Sequence, residues 1–500
     1  MLAGRFLGGH HALEAERLAT FLTGDTDTDA HAGSALRAWF GMDPAARLLG
    51  QGRAALRGAI DRDIAAIDAL IGRQLDAILH HARLRALEGS WRGLAWLIRG
   101  LDPTARIRVR LMTIAWPEIC RDLDRAIEFD QSTMFRLIYE NELGTPGGDP
   151  IGLLLIDHPV RHRPGPQAPT DDVAAIAALS AVAAAAFCVV VLAASPALLG
   201  VDEFGDLAMT ADLAAPLRQA SHARWRGLGN REDSRFVCVT VARALARPPW
   251  RNDPDRADGF RYAEYAPDAA SRVWMSAVYP FAAVVARAQA NHAWPADIRG
   301  VDTDREGGGV VTGLPVEWFR TDPPLSWPRL PLELVLTDGQ ERSLVDAGLI
   351  PLISLPYTAD AAFASVASLH RPQRYAGPTA AAANANARLS AQINAILCAS
   401  RFAHYIKVIG RDMTGKITTA TQIEQRLQAW LRTYINAAID AGPESRAQKP
   451  LVDGRVTVRE YPGRPGVFGC TMHLKPHFQL DEVAAEFDLR ADIADPRRAR

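Results

Sequence analysis

Residues 171–193 read DDVAAIAALSAVAAAAFCVVVLA, and this stretch indicates the fold class of the chain. The alanine-rich part follows Thr170 and Asp171, either of which can cap a helix, so a helix is predicted over about 171–186. The run FCVVVLA then predicts a buried strand at Phe187–Ala193, because strands covered on both faces are continuously apolar. A helix that leads into a buried strand is typical of an α/β sheet.

The same stretch lies in a longer uncharged run, Val173–Val201, and about 20 apolar residues can span a bilayer. Alanine is only weakly apolar, however, and Pro196 interrupts the run. Its flanking residues are Asp172 and Asp202, whereas lysine and arginine orient membrane helices. The sequence therefore favours a helix and a strand over a membrane span.

Strand-like and helix-like segments alternate through the middle of the chain, which predicts a mixed α/β (α+β) fold. Further strands are predicted at Ile107–Ile114, Gly152–Ile156, Phe236–Val241 and Leu332–Thr337, and helices over Trp274–Ala290 and Ser390–Arg401. We expect four regions: an N-terminal helical and linker region (1–53), a long pairing helix with the segment LEGSWRGL (54–100), a central α/β domain (101–375) and a C-terminal domain (376–500).

The N-terminal region combines a short helix with a polar linker. An amphipathic helix is predicted at about His11–Leu22, and the polar stretch GDTDTDAHAGS (24–34) that follows is typical of a linker. A second helix is expected from about Ser34 to the break at Gly41–Pro44. The apolar side of the first helix carries Leu13, Leu18, Phe21 and Leu22.

The clearest helix in the sequence runs from about Ala54 to Leu79. Its apolar residues recur every three or four positions and form one stripe: Leu56, Ile60, Ile64, Ile67, Ile71, Leu75 and Ile78. Such a stripe packs either on the helix's own domain or on a helix of a partner, and the periodicity alone does not say which.

The C-terminal domain changes from helix to strand. A helix at about Gln422–Ala441 is followed by two alternating segments around the turn YPGRPG (461–466), which predicts an antiparallel hairpin over 455–475. A third alternating run, Phe487–Ile493, is expected to pair with the hairpin.

Composition excludes several classes of protein. The 56 basic and 57 acidic residues nearly cancel, which disfavours a general nucleic-acid binder or a polybasic membrane-surface protein. The five cysteines are far apart in the sequence, so neither a zinc knuckle nor a local disulfide framework is predicted. The N-terminus has no apolar run typical of a signal peptide.

One segment approaches a nucleotide-binding motif. Residues 410–416, GRDMTGK, follow the strand-like Ala403–Ile409 and fit the GxxxxGK frame of a P-loop. The next residue is Ile417, however, where a P-loop needs a serine or threonine to bind Mg²⁺. An ordinary turn bounded by glycines is favoured, and a nucleotide-hydrolysing enzyme that uses this loop is the alternative.

Other catalytic or metal-binding patterns are weak. His158 and His162 are four positions apart, but the prolines of HPVRHRPGP forbid the helix that would bring them to one metal. His473 and His477 flank Pro476 at the end of a predicted strand and are expected to point to different places. The sequence contains no GxSxG elbow and no convincing set of nucleophile, base and oxyanion groups. We therefore predict no enzymatic activity, no cofactor and no metal.

Longer strings identify a resemblance. The segment LEGSWRGL (87–94) resembles the LExSWRGL signature of the large sheath subunit of type VI secretion systems, the TssC or VipB family. The resemblance extends in order over roughly residues 60–490. It is carried by EFDQSTMFRLIYENELGTPGGDPIG (128–152), WRGLGNREDSRFV (225–237), LARPPW (245–250), IRGVDTDREGGGVVTGLP (298–315), ELVLTDGQERSLVDAGLIPL (333–352), ANARLSAQINAILCASRFAHYIKVIGRD (385–412) and LKPHFQL (474–480).

The resemblance implies an α/β structural protein of the cytoplasm of a Gram-negative bacterium. Members of the family pair with the small subunit TssB and assemble with other copies into a contractile tube around rings of Hcp. The tube stands on a membrane-anchored baseplate, and its contraction drives effector delivery. Neither nucleic-acid binding nor insertion into a membrane is implied.

The resemblance also implies which residues contact partners. Segments of neighbouring subunits add to the family's C-terminal sheet, which makes 455–475 the expected docking hairpin. The expected interface residues are Ile60, Ile64, Ile67, Ile71 and Leu75 on the stripe and Val456, Val458, Phe468, Met472 and Leu474 on the hairpin. The AAA+ ATPase ClpV, which disassembles sheaths, is expected to bind the N-terminal helix through Leu13, Leu18, Phe21 and Leu22.

The chain also departs from the family pattern. The segment ISLP (353–356) replaces a more polar and basic stretch, lysines are scarce, and the tail RRAR (497–500) is additional. A TssC paralogue that pairs without forming a sheath is therefore a further alternative.

Overall fold

The computed structural model describes residues 28–145, 147–166, 168–255, 260–301, 307–319, 327–373, 375–376, 380–413, 419–438, 442–460, 468–476 and 487–493. The predicted helix His11–Leu22 lies outside these residues. The α-helices of six residues or more in the described part are α1 (Thr28–Phe40), α2 (Met42–Gln51), α3 (Arg53–Leu79), α4 (Ala82–Gly100), α5 (Trp116–Arg125), α6 (Asp172–Ala186), α7 (Ala223–Leu228), α8 (Val278–His292), α9 (Asp338–Asp346), α10 (Ala380–Leu389), α11 (Ile393–Met413), α12 (Ala420–Arg432) and α13 (Pro443–Gln448).

The strands of the described residues form small sheets of both kinds. A π-helical segment, Arg136–Leu143, also continues a short helical turn at Thr133–Phe135. The strands are β1 (Leu153–Val160), β2 (Val189–Ala194), β3 (Val237–Val241), β4 (Arg243–Leu245), β5 (Trp274–Ser276), β6 (Val310–Val311), β7 (Trp318–Phe319), β8 (Trp327–Pro328), β9 (Ile350–Pro351), β10 (Ile353–Ser354), β11 (Ala361–Ala362), β12 (Leu451–Glu460), β13 (Phe468–Pro476) and β14 (Phe487–Ile493). The predicted mixed α/β class is confirmed.

The chain divides into two compact units. The first contains the described residues up to Arg85 together with Pro248–Arg272, and the second contains Ala86–Arg247 and the chain from Val273 onward. The first unit is built on α1–α3. Helix α1 begins at Thr28, earlier than the predicted start at Ser34.

Side-chain hydrogen bonds tie the long helix α3 to the rest of the first unit. The indole nitrogen of Trp39 donates to Asp63 Oδ2 over 2.6 Å. The hydroxyl of Tyr262 donates to Asp76 Oδ1 over 2.7 Å. These bonds hold α1 and the segment around Tyr262 against α3.

A four-stranded parallel sheet, in the order β1-β2-β3-β9, forms the centre of the second unit. Helix α6 connects β1 to β2, as the sequence predicts. Asp171 is its N-cap, and the Asp171 carboxylate accepts a hydrogen bond from the backbone N–H of Ala174. The helix ends at Phe187, whose backbone is left-handed with φ of 52°.

Both faces of the central sheet are covered. On β2, the side chains of Val190 and Leu192 pack with α6 in one apolar layer. Val189 and Val191 point to the opposite layer, which includes α8. Successive strand residues alternate between faces, so a strand buried on both sides must be apolar throughout, as this one is.

The C-terminal sheet is antiparallel, with the order β12-β13-β14. In its register Val456 pairs with Met472, and Met472 pairs with Leu489. One face of the sheet packs on α12 through Leu427 and Leu431. The predicted hairpin and its third strand are both confirmed, although α12 ends at Arg432 rather than near residue 441.

Several local predictions are wrong. Ala403–Ile409 is not a strand but part of α11, in which Phe402 and Ile406 bury one helical face against the C-terminal core. Trp274 begins strand β5, which pairs with β4, and the helix predicted from Trp274 starts only at Val278. Tertiary packing overrides local propensity at these positions.

Two predicted strands are also missing from the described residues. Leu332–Thr337 forms no strand, and only Leu332 makes a bridge, with Ala244. Ile107–Ile114 is assigned to no strand and pairs with none. In the part of the chain that the structure describes, no helix is both long enough and apolar enough to cross a membrane.

His404 lies in the interior of the second unit. Its side chain is buried, and its Nε2 atom donates to the backbone carbonyl of Ala186 over 3.0 Å. Burial lowers the pKa of His404 from the usual 6.5 to about 4. The folded state therefore contains neutral His404, whereas the unfolded chain binds a proton there below about pH 6.5.

This difference predicts a loss of stability in acid. The contribution of neutral His404 to the free energy of unfolding is fully present above about pH 6.5. It is lost as the pH falls toward 4, because the unfolded chain then binds a proton that the folded chain does not. Urea unfolding at pH 7.5 and at pH 5 measures the fall in the free energy of unfolding between the two pH values. In His404→Gln this fall should be smaller than in the wild type by about 2 kcal/mol. The exposed His81→Gln is the control, and an unchanged pH dependence in His404→Gln would contradict the prediction.

Candidate assembly surfaces

The segment LEGSWRGL lies on α4, and its two glycines allow the helix to pack very closely on its neighbours. A Cβ atom at Gly89 would lie 2.2 Å from the carbonyl oxygen of Trp274. A Cβ atom at Gly93 would lie 2.4 Å from the ring of Tyr279. Both contacts are too short for any larger residue, so these positions seat α4 on β5 and α8.

Glu88 holds the same helix in place through ion pairs with two arginines. Its carboxylate accepts hydrogen bonds from Arg92 Nε on its own helix and from Arg247 Nε, each over 2.6 Å. Burial alone would raise the pKa of Glu88, but the hydrogen bonds from Arg247 and Arg92 outweigh it and hold that pKa below its usual value. The strings LEGSWRGL and LARPPW therefore meet in an ion pair.

The opposite face of α4 is apolar and exposed. Leu87, Trp91 and Ile98 all lie on the surface, and Trp91 is 53% exposed. Their spacing of four and seven residues places them on one side of a helix. This exposed face is not among the surfaces predicted from the sequence, although the apolar spacing of Leu87, Trp91 and Ile98 is a signal for it.

The stripe of α3 lies in the first unit and is also largely uncovered. Ile60, Ile64 and Ile71 are exposed, with Ile64 at 49%, and Ile67 and Leu75 are half-buried. The first unit therefore does not bury this stripe. A one-sided apolar face of this length is typical of a surface that another helix covers.

The hairpin residues have a different environment. Val456, Val458, Met472 and Leu474 are buried in the core that the C-terminal sheet shares with α12, and Met472 is fully inaccessible. Phe468 is half-buried against the same core. Any partner at this sheet would therefore contact its strand edges rather than these side chains.

One of those edges is already occupied. On the outer edge of β12, the N–H of Val456 donates to Gln428 Oε1 over 2.8 Å, and Gln428 Nε2 donates to the carbonyl of Gly454 over 3.0 Å. The N–H of Val458 donates to Glu424 Oε2 over 2.9 Å. Side chains of α12 thus replace a neighbouring strand, and the primary sequence gave no signal for this.

The GxxxxGK segment does not follow a strand. Gly410 and Met413 lie within α11, and 414–416 are outside the described residues. Arg411 donates to the backbone carbonyls of Thr145 and Leu143 and so has a structural contact. A P-loop needs a strand before its loop, whereas the described residues that precede this loop frame form helix α11.

His158 and His162 pack against different aromatic rings, and His477 lies outside the described residues. His162 stacks on His222 with ring centroids 3.7 Å apart, and His158 stacks on Trp116. Within the described residues, no group of three histidine, cysteine or acidic side chains is placed to hold a metal ion. Burial raises the pKa of the Cys188 thiol to about 12, which keeps this core thiol protonated.

Two domains of one protein family match this chain. The tail sheath N-terminal domain of VipB (EvpB/VC_A0108) matches residues 61–370, and the gpW/gp25-like tail sheath domain of the same family matches residues 382–493. The chain belongs to the VipB tail sheath family. The resemblance inferred from LEGSWRGL and the strings that follow it is confirmed.

A curated relative supports the same assignment. The "Type VI secretion system sheath protein TssC1" of Pseudomonas aeruginosa is 32% identical over 446 residues, which cover 88% of this chain and 87% of the relative. Among solved structures, a chain of the anti-feeding prophage baseplate matches 71% of this chain and 74% of its own length, at 10% identity and a TM-score of 0.34. The family is one of structural sheath proteins, and this chain is a sheath subunit.

The close seat of α4 predicts the effect of a small substitution. Gly89→Ala should lower the free energy of unfolding by about 1–3 kcal/mol, because the new methyl group meets backbone that cannot move aside cheaply. Urea denaturation would measure it. Gly100→Ala is the control, since no described atom outside its own helical neighbourhood lies within 4 Å of the Cβ position there, and equal effects at the two glycines would contradict the packing argument.

The covered edge of β12 predicts a local change in hydrogen exchange. Gln428→Met removes the acceptor of the Val456 N–H, so that amide should exchange faster and the chain should lose about 1–3 kcal/mol of stability. Hydrogen exchange measured by mass spectrometry or NMR would report it. Gln425→Met, an exposed position on the same helix, should leave the exchange of β12 as in the wild type.

Proposed function

We propose that this chain pairs with the small sheath subunit TssB and that the pairs polymerise, with other copies of themselves, into a contractile tube around Hcp rings. Contraction of the tube would drive effector delivery. The observation that carries the proposal is the match of both sheath domains of the family to this chain, in order and over most of its length. No ATP is needed at this subunit if contraction draws on free energy stored in subunit contacts.

The exposed stripe on α3 supports pairing. Ile60, Ile64, Ile67, Ile71 and Leu75 form one apolar side of a 27-residue helix, and most of it faces solvent. We assign this face to a helix of the small subunit. Burial of several isoleucines would contribute favourably at roughly 25 cal/mol per Å² of apolar area removed from water.

The C-terminal sheet supports polymerisation. In the described residues β13 is the one strand that pairs with β12 and with β14, apart from a single bridge between Leu451 of β12 and Ile435, so each of these two strands has one edge without a strand neighbour. Strand addition at such an edge joins subunits through backbone hydrogen bonds, which tolerate rigid-body rotation of the joined domains. Because Gln428 and Glu424 occupy the edge of β12, addition there would have to displace them.

The remaining partners follow from the family. We propose that the sheath stands on the baseplate in the cytoplasm of a Gram-negative bacterium and that the ATPase ClpV disassembles it after contraction. The expected ClpV site, with Leu13, Leu18, Phe21 and Leu22, lies outside the described residues.

Co-expression with the small sheath subunit of the same gene cluster tests the proposal. Negative-stain electron microscopy of the purified material should show long hollow tubes. A stable heterodimer that forms no tubes would favour the non-sheath paralogue. A chain that stays monomeric in the presence of that subunit would overturn the proposal.

A substitution on the stripe separates pairing from folding. Ile64→Asp should reduce binding to the small subunit at least tenfold, because a buried unpaired charge at a helix interface is costly, while the thermal stability of the chain alone changes little. Isothermal titration calorimetry would measure the affinity. Ala69→Asp places the same charge on the opposite, exposed side of α3 and is the matched control.

The two variants make the outcome clear. Loss of binding in Ile64→Asp alone supports the stripe as the pairing surface. Equal binding by Ile64→Asp and Ala69→Asp would show that the stripe is not the interface, even if tubes form.

A further inference from the structure

The segment RIRVRLMTI (106–114) lies between α4 and α5 in the second unit and has the composition of a strand. Ile107, Val109 and Leu111 alternate with Arg106, Arg108 and Arg110. Such alternation of β-branched or apolar residues with charges is typical of a strand with one covered face. In this structure, however, Leu111 is 59% exposed, and Val109, Met112 and Ile114 are exposed as well.

The backbone groups of 108–114 have no hydrogen-bond partner among the described residues. Across the described residues, no N–H or C=O group of 108–114 makes a hydrogen bond with another backbone or side-chain group. The strands of the central sheet, by contrast, are paired, and the outer edge of β12 is covered by side chains of α12. A segment with strand sequence and free backbone groups is a template for strand pairing.

Two of the arginines hold the segment in place. Arg108 Nη1 donates to Asp149 Oδ2 over 2.5 Å, and Arg110 Nη1 donates to Glu142. Glu142 also accepts from the backbone N–H of Asp149 over 3.2 Å, which links the two acceptors. The segment is therefore tethered on its arginine side, and the residues between the arginines remain exposed.

The charge around the segment indicates the kind of strand that fits. Between residues 99 and 114 there are four arginines, at 99, 106, 108 and 110, and one acidic residue, Asp102. Opposite charges directly across a strand pair are stabilising, and like charges are destabilising. Arg108 and Arg110 are already paired with Asp149 and Glu142, so the charge that a partner strand would meet is that of Arg106. A complementary strand would carry an acidic residue beside Arg106 and apolar residues opposite Val109 and Leu111.

We propose that residues 107–114 pair with a β-strand of another sheath subunit, one that bears an acidic side chain beside Arg106 and apolar side chains opposite Val109 and Leu111. The assignment rests on the proposed function, because it takes the strand from a subunit of the same sheath. It adds a strand-pairing surface that is separate in sequence from both the α3 stripe and the C-terminal sheet. The exposed face of α4, with Leu87, Trp91 and Ile98, precedes the segment directly and offers an apolar surface to the same partner.

Hydrogen exchange of the full chain, alone and in assembled material with the small sheath subunit, tests this inference. Amides of 108–114 should exchange rapidly in the free chain and at least tenfold more slowly in the assembly. Val109→Pro removes one unpaired N–H, so it should leave the melting temperature of the free chain unchanged but reduce assembly at least tenfold. Val109→Thr keeps the N–H and the β-branch and should retain most of the assembly.

A second pair of variants tests the charge. Arg106→Glu should weaken assembly at least fivefold, and Arg106→Lys should retain most of it, because an acidic partner strand requires a positive charge here. Equal assembly by Arg106→Glu and Arg106→Lys would overturn the acidic character of the partner.

The outcomes separate this inference from the proposed function. Tubes in which 108–114 exchange as fast as in the free chain, or tubes formed equally by Val109→Pro and Val109→Thr, would overturn the strand assignment and leave the sheath function intact. A wild-type chain that forms neither a complex nor tubes would overturn the proposed function and this assignment with it. Slow exchange together with loss of assembly only in Val109→Pro would establish the paired strand.

Discussion

The structure of this protein depends on how the backbone N–H and C=O groups of each strand find hydrogen-bond partners. A backbone N–H or C=O that leaves water without a partner is costly, so each strand edge must be paired, covered or left in solvent. The central sheet pairs β2 with β1 on one side and β3 on the other. The C-terminal sheet covers the outer edge of β12 with Gln428 and Glu424. The segment 108–114 is left in solvent.

These three solutions correspond to three roles. Pairing on both sides makes the rigid centre, in which the residues of β2 divide between two apolar layers. Covering by side chains closes an edge that would otherwise attract any strand, since the amide of Gln428 supplies one donor and one acceptor as a peptide group does. An open strand edge is useful in a protein that functions as part of an assembly, because a strand of the neighbouring subunit can supply the backbone hydrogen bonds that the edge lacks.

The signature segment positions the open surfaces. Gly89 and Gly93 bring α4 against β5 and α8, and the ion pair of Glu88 with Arg247 fixes the helix in that position. With one face of α4 so deeply seated, Leu87, Trp91 and Ile98 must point outward. The family motif LEGSWRGL thus has a physical role: its glycines and Glu88 fix the orientation of α4 and of its exposed apolar face.

The family and the α/β class could be predicted from the amino-acid sequence. Long strings such as LEGSWRGL identify the family, and α6, β2 and the C-terminal hairpin follow from local patterns of alanine, valine and alternating residues. Local pattern failed at Ala403–Ile409, where packing of Phe402 and Ile406 makes a helix. The exposure of the α3 stripe and the burial of the hairpin side chains became evident only in the folded chain. The same holds for 107–114, which has no partner strand among the described residues. The reason is physical: periodicity shows that a face is apolar or that a segment favours a strand, but only the folded chain shows what covers it.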